Sequence, residues 1–402
     1  MSIRMVPVNE VKINRRIGIS ETLEVMADIL RNNGVERPVI VNEDNIVIGN
    51  HELYWALRRL GVKLVPVSDR EITTYISLEY MGFYDDISPE PYRVFMSTLE
   101  LLYRNWPTPL VLLNSLSHNG LRVWAKLEGF NPFSGSIKDR VGWYMFIKAV
   151  EEGRTLESNK LIYEATSTNT GMALAAMAAI HGFKARLYIP SSIQKLSDTL
   201  LRVMGAEAVR VSKSLTVEFV DRVEADAKRD RAIHLNQFEN DYNFEVHLRY
   251  TAKEIDLQLR SIKARPTAII GGIGTSGHMS AITFYFKNRF RGKIGIYCVQ
   301  PAPDNIIPGI RRIESGMKWI HWVKPDKLVD VERREAIRES INIARSEGIL
   351  VGLSSGAVVA GFKKLVEEGL VDEGDYVLVF PDHGFKYVEQ FDEYLSKGGS
   401  RS

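Results

Sequence analysis

The sequence predicts an α/β protein: two three-layer α/β lobes preceded by a small α+β domain. Three observations carry this. From Leu110 onward, strand-like apolar runs alternate with helical patterns, the mark of βαβ units and parallel sheets. That region spans about 290 residues, too long for one open sheet, so it divides into two lobes. Over residues 6–67 the elements are shorter and mixed, which sets a separate unit at the N-terminus. The expected boundaries are 1–88 for the α+β domain, 89–106 for a helical linker and 107–402 for the larger body.

In the first domain, Leu23, Met26, Ile29 and Leu30 recur at helical spacing. Ser20 is the expected N-cap and Gly34 the expected stop. Residues 38–41 and 46–48 read as strands around a turn at 42–45. Asn50 caps a second helix that Gly61 ends, and residues 64–67 form another strand. Pro89 and Pro91 mark a break, followed by an apolar helical stretch over 94–103. Beyond Trp106-Pro107-Thr108-Pro109, strands are expected at 123–127, 161–164, 185–189, 208–211, 232–235, 268–270, 295–299, 349–351 and 376–380. The tail from Gly398 to Ser402 reads as disordered.

Composition narrows the function classes. Lys and Arg number 52 against 50 Asp and Glu, a net charge of +2. That balance gives no global pull toward nucleic acid or a membrane surface. One cysteine, Cys298, permits no internal disulfide and reads as a small buried hydrophobe. Residues 1–15 lack the apolar run of a signal peptide, and no stretch has the length of a membrane span. The expectation is a soluble cytoplasmic protein. The 8 histidines form no H-E-x-x-H pattern, so no metal site is expected.

Four segments carry chemistry. Asn131-Pro132-Phe133-Ser134-Gly135-Ser136-Ile137-Lys138-Asp139-Arg140 puts one lysine on a turn that opens a helix. A lysine holding a cofactor aldehyde as a Schiff base needs that placement. Thr166-Ser167-Thr168-Asn169-Thr170-Gly171 offers hydroxyls, an amide and free N–H groups at another helix start, as an amino-acid carboxylate requires. Gly271-Gly272-Ile273-Gly274-Thr275-Ser276-Gly277-His278 follows a strand and can cradle a phosphate. Its sub-string from Gly272 to Gly277 also fits the dinucleotide pattern. That reading needs an acid about 20 residues on, at the end of the next strand. The next strand ends at Gln300, so a dinucleotide is the weaker reading, beside that of a plain glycine turn. Ser354-Ser355-Gly356-Ala357 places a hydroxyl where an unprotonated pyridine nitrogen could meet it, or serves as an ordinary helix cap. Asn236-Gln237-Phe238 sits at the carboxyl end of a strand, where α/β sheets place ligands. Together the segments indicate pyridoxal 5'-phosphate (PLP) chemistry on an amino acid.

From about Pro107 to Tyr387 the chain resembles the cysteine synthase family, PLP enzymes of fold type II. The opening Thr108-Pro109-Leu110, the lysine segment, the Thr166 to Gly171 loop, Asn236-Gln237-Phe238, the glycine loop and the Ser354 turn stand in that family's order. The resemblance implies that Lys138 binds PLP and then acts as the base at Cα. It implies that Asn169 contacts the cofactor's 3-hydroxyl oxygen. Gly274, Thr275, Ser276, Gly277 and His278 would hold its phosphate, and Ser354 its ring nitrogen. Thr166, Ser167, Thr168, Thr170 and Gln237 would hold the substrate carboxylate. Thr168 departs from the glycine many relatives carry.

Within that family the chain is similar to archaeal O-phosphoserine sulfhydrylases. Ile307-Pro308-Gly309-Ile310-Arg311-Arg312 and residues 314–317 and 382–387 carry this likeness. It implies that Arg311 and Arg312 bind a substrate phosphate, and that a homodimer makes cysteine from O-phosphoserine and sulfide. O-acetylserine sulfhydrylase and cystathionine β-synthase chemistry are alternatives on the same fold. The N-terminal region resembles the ParB/sulfiredoxin-like fold through Asn33-Gly34-Val35-Glu36-Arg37-Pro38, Gly49-Asn50-His51 and Leu60-Gly61. Some members of that fold are serine kinases, but their Asp-Gly-His-His-Arg-like string is replaced here by Gly49-Asn50-His51-Glu52-Leu53. A regulatory or structural domain is therefore expected. A nucleic-acid-binding or sensor protein is the rival from another class, and the intact lysine and glycine loop oppose it.

Overall fold

The computed structural model describes residues 3–156 and 158–398, so the expected disordered tail lies almost wholly outside the described residues. Two α/β lobes face each other across a cleft. The smaller carries a four-stranded parallel sheet in the order Glu207–Val211, Lys184–Pro190, Leu161–Ala165, Ile233–His234. The larger carries six strands in the order Lys327–Val331, Gly295–Pro301, Pro266–Gly272, Gly374–Phe380, Leu121–Leu127, Leu110–Leu112, all parallel but the last. Carboxyl ends of the parallel strands open on the cleft, as in other open α/β sheets.

Each lobe carries one helix that is buried nearly all round. Asn169–His181 and Gly277–Arg289 bury almost every side chain of their first ten residues, which removes the usual amphipathic stripe. Helix Lys138–Glu151 crosses Asn169–His181 at Gly142, where an added Cβ would lie 2.7 Å from Ala173 Cβ. Only glycine permits that approach.

The N-terminal sheet runs Arg4–Pro7, Leu64–Ser68, Val39–Val41, Val47–Gly49, with helices Leu23–Asn32 and His51–Leu60 packed on it. Three capping expectations are corrected. Ser20 lies in a 3-10 turn and caps nothing with its side chain. The left-handed stop is Asn33 at φ 54, while Gly34 enters a strand and leaves 2.3 Å between an added Cβ and the Ile76 carbonyl. Asn50 does precede its helix, but its amide donates to the Pro38 carbonyl at 2.9 Å instead of capping.

The expected helix over 94–103 shrinks to Glu100–Tyr103, because Val94 and Met96 find nothing to pack on and stand 64% and 84% exposed. The expected strand at 349–351 is a single bridge between Val351 and His383. Strands Leu110–Leu112 and Lys327–Val331 had not been expected.

The N-terminal domain is not a loose appendage. Its core is continuous with the larger body through Phe244, Leu248, Ile255 and Phe286. Helix Ala252–Ser261 turns one face toward it. The fully buried Lys253 ammonium donates to the Phe83 carbonyl at 2.6 Å. Asp256 accepts from Tyr84 at 2.7 Å and Tyr285 at 2.6 Å, and Arg249 donates to Asp86 at 2.7 Å. One turn of π-helix, His247–Thr251, precedes that helix without a break.

A chain beginning at Pro89 would expose the apolar face around Phe244, Leu248, Ile255 and Phe286 to water, and would strip Lys253 of its carbonyl and Arg249 of its carboxylate. We expect it to aggregate or melt far below the full-length protein, by size-exclusion chromatography and thermal denaturation. The segments that carry chemistry all lie beyond residue 107, so the sequence alone leads one to expect a dispensable first domain; the shared core opposes that expectation. A monodisperse truncated protein with an unchanged melting temperature would restore it.

Candidate active site

The cleft between the lobes holds roughly 710 Å3 of empty space, its open mouth included. Lys138 stands on its wall as the first residue of helix Lys138–Glu151. The turn before it is fixed by the buried Asp139, whose carboxylate accepts the Phe133 N–H at 2.7 Å and the Ser134 N–H at 2.8 Å. The Ser134 hydroxyl also donates to it. Burial raises Asp139 to about 6 against these hydrogen bonds.

Among the described residues the Lys138 ammonium has no hydrogen bond or ion pair. Burial first, and then the charge of Arg311, lower it to about 8. Arg311 lines the same cleft, held by Nε to the Gly274 carbonyl at 2.7 Å and Nη1 to the Ser315 carbonyl at 3.2 Å, above the Phe238 ring at 5.2 Å. No aspartate or glutamate appears among the described residues lining the cleft. Two desolvated cations thus face it without an anion.

Ser167, Asn169, Thr170, Gln237, Gly274 and Thr275 join Lys138 and Arg311 on the lining, as the sequence led one to expect. Thr170 donates its hydroxyl to Gln237 Oε1 at 2.7 Å, and Gln237 Nε2 donates to the Ala165 carbonyl at 2.8 Å. Glu164, buried beneath, accepts the Asn236 and Gln237 N–H groups at 3.0 and 3.2 Å and so sets that turn. Gly274 sits so close to the opposite wall that a Cβ would lie 2.4 Å from the Gly309 carbonyl. Ser276, at φ 71, starts helix Gly277–Arg289, and its buried hydroxyl has no partner. Gly277 and His278 follow inside that first turn, and burial, then Lys138, lower His278 to about 3, so it is neutral. Ser354, in the first turn of Leu353–Glu367, lies behind the cleft wall, its hydroxyl 3.8 Å from a Cβ built on Gly309.

Three expected contacts are placed elsewhere. Thr166 is fully buried under the loop and accepts the Gly171 N–H at 2.9 Å, so it braces the helix start. Thr168 lines a smaller adjoining pocket, with its hydroxyl on Ser197 Oγ at 2.7 Å. Arg312 is directed away from the cleft to Glu314 at 2.9 Å, Asp330 at 3.1 Å and the Pro301 carbonyl at 2.8 Å. Cys298, by contrast, is fully buried in its strand as expected, and burial pushes its thiol up to about 12.

The donor set fits an anionic aldehyde. Lys138 is free to take the carbonyl carbon, the start of Gly277–Arg289 offers N–H groups and an unpartnered hydroxyl to a phosphate, and Asn169 Oδ1 is buried without a partner. Residues 101–382 match the family model described as pyridoxal-phosphate dependent enzyme, and the chain belongs to that family. It is a PLP-dependent enzyme of the cysteine synthase and cystathionine β-synthase type.

Cysteine synthase B of Escherichia coli K12 is 33% identical over 310 residues, covering 75% of this chain and 99% of its own length. A hydrogen sulfide-producing enzyme from Fusobacterium nucleatum superposes with a TM-score of 0.66 at 28% identity, covering 73% of this chain and 100% of its own. An O-acetylserine dependent cystathionine β-synthase from Helicobacter pylori gives 0.64 at 25%, covering 74% and 98%. The family match begins after the N-terminal domain. Among the described residues no helix is long and apolar enough to cross a membrane, and no cluster of His, Cys, Asp or Glu is placed to hold a metal.

Capture of an aldehyde requires the neutral amine. With Lys138 lowered to about 8, the rate at which apoprotein takes up PLP should rise about tenfold per pH unit below that value and level off above it. Stopped-flow absorbance across that range checks this. An ordinary lysine would still be gaining rate well above it. Arg311→Ala removes a like charge and should move the bend to higher pH.

Proposed function

We propose that the chain makes L-cysteine from O-phospho-L-serine by replacing the Cβ phosphate with sulfide. The observation that supports this is Arg311: a guanidinium in the cleft, ion-paired with no carboxylate, beside the lysine that carries the chemistry. A dianionic leaving group is better served by an arginine than by apolar walls. Arg312, engaged with Glu314 and Asp330, takes no part.

When bound, PLP supplies the electron sink that makes the substrate Cα–H acidic. The remaining work falls to side chains. Ser167 and Thr170, with the N-terminus of Asn169–His181, hold the substrate carboxylate, and Gln237 orients Thr170. Lys138, once displaced from the cofactor, is a neutral amine at mildly alkaline pH and removes the Cα proton as general base. Arg311 neutralises the phosphate as the Cβ–O bond breaks. Hydrosulfide then forms the Cβ–S bond, and the proton held by Lys138 returns to Cα. Ser354 would meet the ring nitrogen with its hydroxyl and, being no acid, would leave that nitrogen unprotonated, which suits elimination over transamination. The N-terminal domain, ParB-like in its sequence strings, is a structural element of a homodimeric enzyme in this reading.

O-acetylserine is the second reading of the same site, and the Helicobacter relative, dependent on that substrate, favours it. The two separate cleanly. Arg311→Ala should cost about 10- to 100-fold in kcat/KM with O-phosphoserine, the worth of one charge-assisted contact. The uncharged acetyl ester should suffer far less, and Arg312→Ala should change neither. Equal losses on both esters would leave the acetyl reading standing. Borohydride reduction followed by digestion should find the cofactor on Lys138, and Lys138→Ala should abolish turnover. The cofactor found on another lysine would overturn the site.

A further inference from the structure

Asp382 lies at the end of strand Gly374–Phe380, 2% exposed, and no step of the reaction uses it. Its Oδ2 accepts Asn169 Nδ2 at 2.9 Å and the Tyr387 hydroxyl at 2.5 Å, with the Lys386 ammonium at 3.7 Å. Its Oδ1 has no partner and is so close to Gly352 that a Cβ there would lie 1.9 Å away.

The backbone around it is as well connected. Asp382 forms a bridge with Ser136, and the Ile137 N–H donates to the Pro381 carbonyl at 2.8 Å. Gly352, which opens the Ser354 helix, donates its N–H to the Asp382 carbonyl at 3.0 Å. Lys386 donates to the Ser134 carbonyl at 2.7 Å. Three segments that carry residues assigned to the cofactor, those of Lys138, Asn169 and Ser354, therefore meet around Asp382, the Asn169 amide at its carboxylate and the other two at the backbone of residues 381–382.

We propose that Asp382 is the positioning residue that fixes the Asn169 amide for the cofactor and registers the lysine turn and the Ser354 helix around it. The proposal rests on the reading of Asn169 as a cofactor contact. A primary amide has two orientations of nearly equal shape. An ionised carboxylate only accepts hydrogen bonds. Turned over, Asn169 would set Oδ1 against Asp382 Oδ2, acceptor against acceptor. One Nδ2 proton is thus committed to Asp382, while the second and the unpartnered Oδ1 stay available for the ligand. Burial, and then Asp382, hold Tyr387 far above the usual phenol range, so it remains a donor and keeps the carboxylate in place.

The test is Asp382→Asn in the full-length protein, which keeps the shape and removes both the charge and the preference for one amide orientation. Apoprotein is titrated with PLP, and the pH midpoint of the visible absorption is recorded, with the apoprotein melting temperature as control. We expect the PLP dissociation constant to rise about tenfold or more, and the midpoint to move to lower pH as a nearby negative charge is lost. In an Asn169→Ala background the same change should add little, since residues acting through one contact are not additive. Unchanged affinity and midpoint, or an undiminished effect in that background, would overturn the proposal.

Should Asp382→Asn fail to fold, Tyr387→Phe loosens the carboxylate without removing it. It should weaken PLP binding in the same direction by a smaller factor, and wild-type affinity in that variant would overturn the proposal too. A wild-type protein that takes no PLP, or takes it on another lysine, refutes the reading of the site. Wild-type capture on Lys138 with a silent Asp382→Asn refutes this proposal alone.

Discussion

Arg140, two residues after Lys138, is fully buried between two carboxylates. Its guanidinium donates to Glu128 Oε2 at 2.6 Å and to Glu254 Oε1 at 2.5 Å, and Lys126 closes the group by donating to Glu254 Oε2 at 2.8 Å. All four side chains are 0% exposed. Burial alone would protonate Glu254, yet Arg140 and Lys126 hold it well below the usual carboxylate range. Two cations against two anions leave no net charge to desolvate, which is the condition for such a group to persist inside a protein. The four come from the strand Leu121–Leu127, the turn after it, the lysine helix and helix Ala252–Ser261. Satisfying all of them at once fixes where that lysine helix begins, and so where Lys138 stands.

Trp106 closes this group over the Arg140 face at 4.3 Å, and its indole N–H reaches Asn131 at 2.9 Å, at the start of the lysine turn. Apolar side chains of the same volume could fill this space at little energetic cost. They would not specify direction. The hydrogen-bonded charges do, and the contrast with the cleft next door is instructive. There, among the described residues, Lys138 and Arg311 form no ion pair, so the binding energy such pairing would have consumed is available to an anionic ligand.

The parts of this arrangement that could be read from the sequence are those encoded by neighbours. A glycine loop after a strand, a lysine after Ser-Gly-Ser, and hydroxyls before a helix are local strings with local causes. Most strands were found within a residue or two because their apolar runs are short and bounded. What could not be read depends on orientation or on distance. Arg311 and Arg312 are adjacent and chemically identical. Only the fold sends one to Gly274 and Ser315 and the other to Asp330. Thr166 and Ser167 part in the same way, one beneath the loop and one on its surface. Lys126, Glu128, Arg140 and Glu254 share no spacing, and Asp382 and Asn169 stand 213 positions apart. Helix stops misled where an asparagine took the left-handed position that a following glycine seemed to claim.

The π turn His247–Thr251 governs what lies after it. Such a turn amounts to an extra residue within an α-helix, and each residue advances the helical phase by about 100°. Beyond it, Lys253 faces the carbonyls of the N-terminal domain while Glu254, its neighbour, faces Arg140. One added residue therefore sets which side of the helix serves the domain and which serves the helix that begins at Lys138. Excising it would wind the downstream stretch back by that angle and present both partners with the wrong side chain. The two halves of the molecule are thus kept in phase by a count of residues, with no loop between them to absorb an error.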